Sequence, residues 1–264
     1  MTLRWCHLLC AAALTSTGLP VTHAASTACV ASSGKQSVAL VELYTSEGCS
    51  SCPPADKWLS DLPASGLSTE RVVPLALHVD YWNYLGWPDP FSQPQFTQRQ
   101  RRMRAINRLP TIYTPQVLLN GRDLRGWYHW SHVMEEIGRV NAVPARAEIK
   151  LALHYATADR LQIRASVKVP GGATSTHAQL FLVVYENGLH RQVTAGENTG
   201  RTLQHNFVAR AFAGPLPIGQ GEIMHNVDLD EDWKRQNLGV VAFLQDQRNA
   251  DVLQALAMPL CGPA

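Results

Sequence analysis

The stretch Glu47-Gly48-Cys49-Ser50-Ser51-Cys52-Pro53-Pro54 decides the reading of this chain. It follows a short apolar run, Val38-Ala39-Leu40-Val41-Glu42-Leu43-Tyr44-Thr45, and precedes Trp58, Leu59 and Leu62 at helical spacing. The run has the pattern of a buried strand. Pro53 and Pro54 suit the first turn of a helix, where a missing N–H costs little. Cys49 and Cys52 therefore stand at a helix start, where backbone N–H groups and the helix dipole favour a thiolate. In such a pair the first cysteine attacks and the second resolves the mixed disulfide. Cys49 is thus the expected nucleophile and Cys52 the resolving residue. A closed structural disulfide is the alternative. A zinc site would need a second Cys-x-x-Cys, which the chain lacks. A copper site of Cys49, Cys52 and His78 is a third possibility.

Working outward, Arg71-Val72-Val73-Pro74-Leu75-Ala76-Leu77-His78-Val79 reads as a second buried strand. Asp80-Tyr81-Trp82-Asn83-Tyr84-Leu85-Gly86-Trp87-Pro88-Asp89-Pro90-Phe91 is too aromatic for a linker and predicts an ordered loop. Residues 96–109 read as a basic helix with Phe96, Met103 and Ile106 inward. Gln116-Val117-Leu118-Leu119 is a strand ending in the hairpin signal Asn120-Gly121. Trp130, Val133, Ile137 and Val140 mark an amphipathic helix. This alternation predicts an α/β layer. Beyond Pro144, strand-like runs separated by turn clusters suggest a β-sandwich. The expected architecture is a thioredoxin-like α/β domain over 37–144, with a long insert at 80–112, followed by an all-β, sandwich-like domain over 146–261.

Composition limits the function classes. The chain has 264 residues, 45% hydrophobic and 17% charged, with a net charge of +2. A packed core is expected, and no charge excess points to nucleic acid. Residues 1–24 read as an export signal: Arg4, an apolar stretch over 5–14, then small residues with cleavage near Ala24. The apolar stretch falls short of the about 20 residues that cross a bilayer, so a soluble periplasmic or secreted protein, without stable membrane insertion, is expected. Cleavage removes Cys6 and Cys10 and leaves Cys29, Cys49, Cys52 and Cys261 in an oxidising compartment. Cys49 and Cys52 pair most simply with each other. Cys29 and Cys261 then pair as a structural disulfide, or stay free or join another chain.

Three further features bear on the chemistry. Thioredoxin folds set a cis-proline, just before a strand, against the Cys pair; Pro115 after Thr114 occupies that place by analogy, with Pro110 as a competitor. Glu42, inside an apolar strand, would exchange a proton with Cys52 if it faces inward. Tyr81, Trp82 and Trp87, with Asp80 and Thr114, would form a substrate-side pocket over Cys49 or simply join the core. Arg99, Arg101, Arg102, Arg104 and Arg108 would line an anion-binding surface or a solvated helix face.

The segment 41–56, together with His78-Val79-Asp80-Tyr81-Trp82-Asn83-Tyr84-Leu85-Gly86-Trp87, Tyr113-Thr114-Pro115-Gln116 and Glu197-Asn198-Thr199-Gly200, resembles the bacterial secreted family known as domain of unknown function 1223. The resemblance spans nearly the whole mature chain. It implies a thioredoxin-like fold with a β-rich C-terminal part and a redox role, and names no substrate. Ser50-Ser51 departs from the Gly-Pro of thioredoxins, so their redox potential does not carry over. The expectation is an exported thiol–disulfide oxidoreductase without metal or organic cofactor. Its partners would be cysteine-containing exported proteins and a dithiol electron donor or acceptor. A non-enzymatic envelope binding protein with a structural Cys pair is the alternative.

Overall fold

The computed structural model describes residues 29–170, 177–219 and 221–261; the expected signal segment lies outside them. The chain enters through a short strand, β1 (Cys29–Ser32), then runs through β2 (Ala39–Thr45), helix α1 (Pro53–Asp61) and β3 (Val72–His78). Helix α2 (Pro94–Ile106), the hairpin of β4 (Gln116–Leu119) and β5 (Arg122–Asp123), and helix α3 (Trp130–Asn141) follow. The remainder is almost wholly strand: β6 (Glu148–Thr157), β7 (Arg160–Lys168), β8 (Ala178–Glu186), β9 (Leu189–Gln192), β10 (Thr202–His205), β11 (Val208–Pro217), β12 (Ile223–Asp228), β13 (Leu238–Asp246) and β14 (Val252–Pro259).

The local expectations hold for several elements. β2 and β3 are buried along their whole length and pair in parallel. Asn120 and Gly121 both adopt positive φ and turn β4 back onto β5. A side chain at position 121 would meet the Ala250 carbonyl oxygen at 2.2 Å, so only glycine fits there.

The expected architecture, a thioredoxin-like α/β domain followed by a separate β-sandwich, is wrong. One eight-stranded mixed sheet runs β14-β13-β8-β11-β3-β2-β4-β5 through both halves of the chain. The reason lies in β3, which would be an edge strand if the first half folded alone. An apolar edge invites further pairing, and here β11 takes it in parallel at Ala76 and Val208, where the Ala76 N–H donates to the Phe207 carbonyl at 2.8 Å. The joint is short because Pro74, two residues back and aimed at the same edge, has no N–H to extend it. A second, antiparallel sheet, β1-β6-β7-β12, covers one face of the C-terminal strands. The strand-rich result is one fused body rather than a helix-layered unit with an appendage.

Both faces of the central strands are therefore buried. Leu180, Leu182 and Val184 of β8 pack toward Ile149, Leu151 and Ile163 of the second sheet. Phe181 and Val183, on the opposite face, join a core with Leu43, Phe96 and Val208. This explains the near-continuous apolar runs of β8 and β13. At the centre of that core lies a charged pair. Glu42 of β2 accepts from Arg99 Nε at 2.6 Å and from Nη2 at 3.1 Å, and Arg99 also donates to Gln245 Oε1 of β13 at 3.0 Å. The guanidinium lies within 4.9–5.5 Å of the ring centroids of Phe181, Phe212 and Phe243. Arg99 is thus part of the core, whereas Arg101 and Arg102 face solvent.

The ends of the described chain are tied by the Cys29–Cys261 disulfide, 232 residues apart. Truncating Arg99 to Ala would strand the Glu42 carboxylate in the core and cost about 3–5 kcal/mol. The double change Glu42→Leu with Arg99→Met should recover most of that loss in urea unfolding. An Arg99→Ala protein as stable as the parent would show that the pair holds nothing.

Candidate functional site

The turn after β2 and the start of α1 fix the Cys pair. Cys49 and Cys52 form a disulfide, with the Cα atoms 5.4 Å apart. The Cys52 carbonyl accepts from the Ala55 and Asp56 N–H groups at 2.9 and 3.1 Å, which starts the helix. Gly48 lets Trp82 approach: a Cβ there would stand 3.0 Å from the Trp82 Cβ. Ser50 and Ser51 are exposed, but Cys49 is 1% and Cys52 0% exposed. An attacking cysteine needs access to its partner, yet the 80–91 loop and the segment around Asn198 close over Cys49.

Thr114 and Pro115 lie against it. The Thr114–Pro115 bond is cis. Thr114 Oγ1 donates to Cys49 Sγ at 3.3 Å, and Trp82 Nε1 donates in turn to Thr114 Oγ1 at 2.7 Å. Trp82 thus reaches the sulfur through one hydroxyl. Tyr81 packs beside Trp82, with ring centroids 6.1 Å apart. Trp87 is directed elsewhere: its Nε1 donates to Glu47 Oε2 at 2.8 Å. Asp80 Oδ1 accepts from Thr97 Oγ1 at 2.5 Å and so anchors the loop to α2.

Glu42, the expected proton carrier, is placed differently. Both of its oxygens are held by Arg99, so its carboxylate is committed to the core pair. Other groups gather behind the disulfide. Glu47 is fully buried; its Oε1 lies 3.1 Å from His205 Nε2 and 4.0 Å from Arg191 Nε. The Glu47 N–H donates to Asp89 Oδ2 at 2.8 Å, and that oxygen lies 2.7 Å from His78 Nδ1. His78 and His205 meet edge to face at 5.0 Å. Asp56, one helical turn after Cys52, has its Oδ2 3.9 Å from His205 Nδ1.

The C-terminal half supplies a clamp. Asn198 Nδ2 donates to the Glu47 carbonyl at 2.8 Å and to the Cys49 carbonyl at 3.0 Å. Glu197 Oε2 accepts from the Ser50 N–H at 3.0 Å. These residues sit in the turn between β9 and β10, and His205 ends β10. None of Asp56, Asn198 or His205 was expected at the site. Asp56 carried one signal, the helical spacing that puts it on one face with Cys52 and Leu59. Asn198 lay within a family-like motif but had no assigned role, and His205 is inward only because β10 alternates with buried Leu203.

Copper binding gains no geometric support. His78 Nδ1 is engaged by Asp89, and among the described residues no group of three His, Cys, Asp or Glu side chains is placed to hold a metal ion. Among the same residues no helix is long and apolar enough to cross a membrane.

The fold and site define a strand-rich protein with a buried Cys-x-x-Cys disulfide at a helix start, clamped from its C-terminal half. Residues 40–245 match the family described as protein of unknown function (DUF1223), and the chain belongs to that family. No curated protein matches the sequence closely enough to lend it an activity. The chain is similar in fold to protein AGR_C_4864 from Agrobacterium tumefaciens, at 24% identity and a TM-score of 0.56, over 85% of this chain and 96% of that one. It is also similar to HBP35 of Porphyromonas gingivalis, at 18% identity and a TM-score of 0.63, over 86% of this chain and 76% of that one. The first likeness covers both halves of this chain together, as one fused body requires.

Burial opposes a charge on His78, but Asp89, with Asp56 and Glu47 behind it, outweighs burial and holds its pKa above the ordinary histidine value. Burial likewise opposes the Asp89 charge, but His78 and the N–H groups of Glu47 and Phe91 hold its carboxyl below the usual range. Stability drawn through His78 is fully present below about pH 6.5 and is lost as pH rises through the raised folded value. Stability drawn through Asp89 is present above about pH 4 and is lost as pH falls through the lowered folded value. Asp89→Asn should weaken the fold by about 3–5 kcal/mol at neutral pH and flatten both limbs of a urea-stability profile taken against pH. A variant that keeps the parent's profile would refute the pair's role.

Proposed function

We propose that this protein is an exported thiol–disulfide exchange protein acting through Cys49 and Cys52. The observation that carries the reading is the hydrogen bond from Thr114, the residue before Pro115, to the Cys49 sulfur at the amino end of α1. The helix start favours a thiolate on the pair once it is reduced, and the Thr114 hydroxyl singles out Cys49 as the sulfur that exchanges. A partner thiol displaces that hydroxyl and attacks Cys49, and Cys52 leaves as the Sγ–Sγ bond breaks; the partner's second thiol then releases Cys49, whereas in the reverse direction Cys49 attacks a partner disulfide and Cys52 resolves the mixed disulfide. Thr114, Pro115, Tyr81 and Trp82 form the partner side of the site. Export is supported by Arg4 with the apolar stretch over 5–14, and by two disulfides, which belong to an oxidising compartment. The partners on this reading are cysteine-containing exported proteins and a dithiol donor or acceptor.

The burial of both cysteines favours a second reading, a structural disulfide in a binding protein. The reduction potential separates the two. Equilibrating the protein in graded dithiol buffers and mapping Cys49–Cys52 by alkylation and mass spectrometry, apart from Cys29–Cys261, should place the pair between about −120 and −270 mV. Cys52→Ala should then accumulate mixed disulfides on Cys49 in cells. A potential below about −300 mV, with no trapped partner, would establish the structural reading instead.

A further inference from the structure

We propose that Asp56, whose Oδ2 lies 3.9 Å from His205 Nδ1, is the proton donor and acceptor for Cys52, in place of the core-committed Glu42. The inference rests on the exchange reading above. Asp56 lies four residues after Cys52 on α1, and its N–H donates to the Cys52 carbonyl at 3.1 Å. Helical side chains tilt toward the helix N-terminus, so the Asp56 carboxyl leans back toward Cys52. It is 6% exposed, and its Oδ1 has no hydrogen-bond partner among the described residues; neither have Thr45 Oγ1, His78 Nε2 and His205 Nδ1. A buried carboxyl whose hydrogen bonds are incomplete is favoured as the neutral acid, the form able to donate. Burial raises the Asp56 pKa against the opposing pull of His205, His78 and the nearby Thr45 hydroxyl.

The carboxyl also has a route to solvent. A groove of about 360 Å³ runs between α1 and β10, lined by Asp56, Pro53, Lys57, Ser60, Leu203 and Gln204. A proton entering it reaches Asp56 without crossing the partner side of the disulfide.

A thiolate of a small dithiol attacks Cys49 Sγ; the Sγ–Sγ bond breaks, and its electron pair leaves on Cys52 Sγ. Asp56 gives that sulfur its proton and recovers one from solvent through the groove. The second thiol of the reagent loses its proton to solvent and attacks its own mixed-disulfide sulfur, releasing Cys49 as thiolate. The dithiol loses two electrons and the Cys pair gains two. In reverse, Asp56 takes the Cys52 proton as Cys52 attacks.

The charged and titratable groups around Asp56 are His205 on β10, His78 on β3, Glu47 and Asp89 in the flanking loops, and Lys57 and Asp61 on its own helix. The test must single out Asp56 among them. The purified protein is reduced with dithiothreitol under stopped flow across pH 5–9, a range about the neutral operating pH, with the rate constant expressed per reagent thiolate. The parent should be fastest where Asp56 is protonated and fall at least tenfold as pH rises through its titration, since general-acid help of this kind is worth about 10²–10⁴. Asp56→Asn should be slow throughout and lack the step. Asp56→Glu, which keeps the acid, should retain a step at a shifted pH. The parent's low-pH rate should also slow in D2O, a readout that needs no variant. The same step in Asp56→Asn, or a parent with no D2O effect, overturns the assignment while leaving exchange intact. A native protein that dithiothreitol does not reduce at any pH overturns the exchange reading itself.

Discussion

The structure depends on the pairing of β11 with β3 at Ala76 and Phe207. This short stretch of ladder joins the first half to the C-terminal strands, and the core beside it is common to both, with Leu43 and Phe96 packed in one cluster with Phe181 and Phe243. It also carries the β9–β10 hairpin, which immediately precedes β11, onto the loop that bears Cys49. His205, three residues before Val208, comes to rest against His78, and Asn198 at the hairpin turn reaches the Glu47 and Cys49 carbonyls. The site is therefore a product of the joint. The first half supplies the disulfide and the cis-proline, and the second supplies the clamp and one histidine.

The charged groups divide into two sets with different tasks. Glu42 and Arg99 satisfy each other bidentately inside an aromatic box, in an arrangement that fixes α2 against β2 and β13. A buried pair of this kind contributes little net stability over a well-packed apolar pair, yet neither member can be removed alone. Behind the disulfide the opposite holds. Asp56, His78 and His205 each keep a polar atom without a partner among the described residues, so that cluster retains hydrogen-bonding capacity that the core pair has used up.

What could be read from the sequence was what is local. The strand before Cys49, the proline-started helix and the Asn120-Gly121 turn all follow from neighbours a few residues apart, whereas the place of Pro115 came from analogy with thioredoxin folds. The Cys29–Cys261 pairing was reached by elimination and was also found. The fusion of the sheet escaped, because β3 and β11 are more than a hundred residues apart and a two-residue period says which face a strand buries, never which edge it shares. Glu42 misled for a related reason. A carboxylate in an apolar strand announces a buried partner, but nothing local distinguishes the Arg99 guanidinium from a cysteine thiol. Asp56 was legible in principle, as a polar residue on the apolar face of α1 beneath Cys52.

The Cys29–Cys261 bond has a consequence of another kind. With its ends joined across 232 residues, the described chain is a covalent ring. A single cut in any surface loop of such a ring yields no separate fragments; the two pieces stay tethered until a reductant arrives. A reducing agent thus has two distinct targets on this molecule, the sulfur pair that closes the ring and the buried pair at the start of α1. The environment that keeps the ring closed is also the one that keeps Cys49 and Cys52 joined.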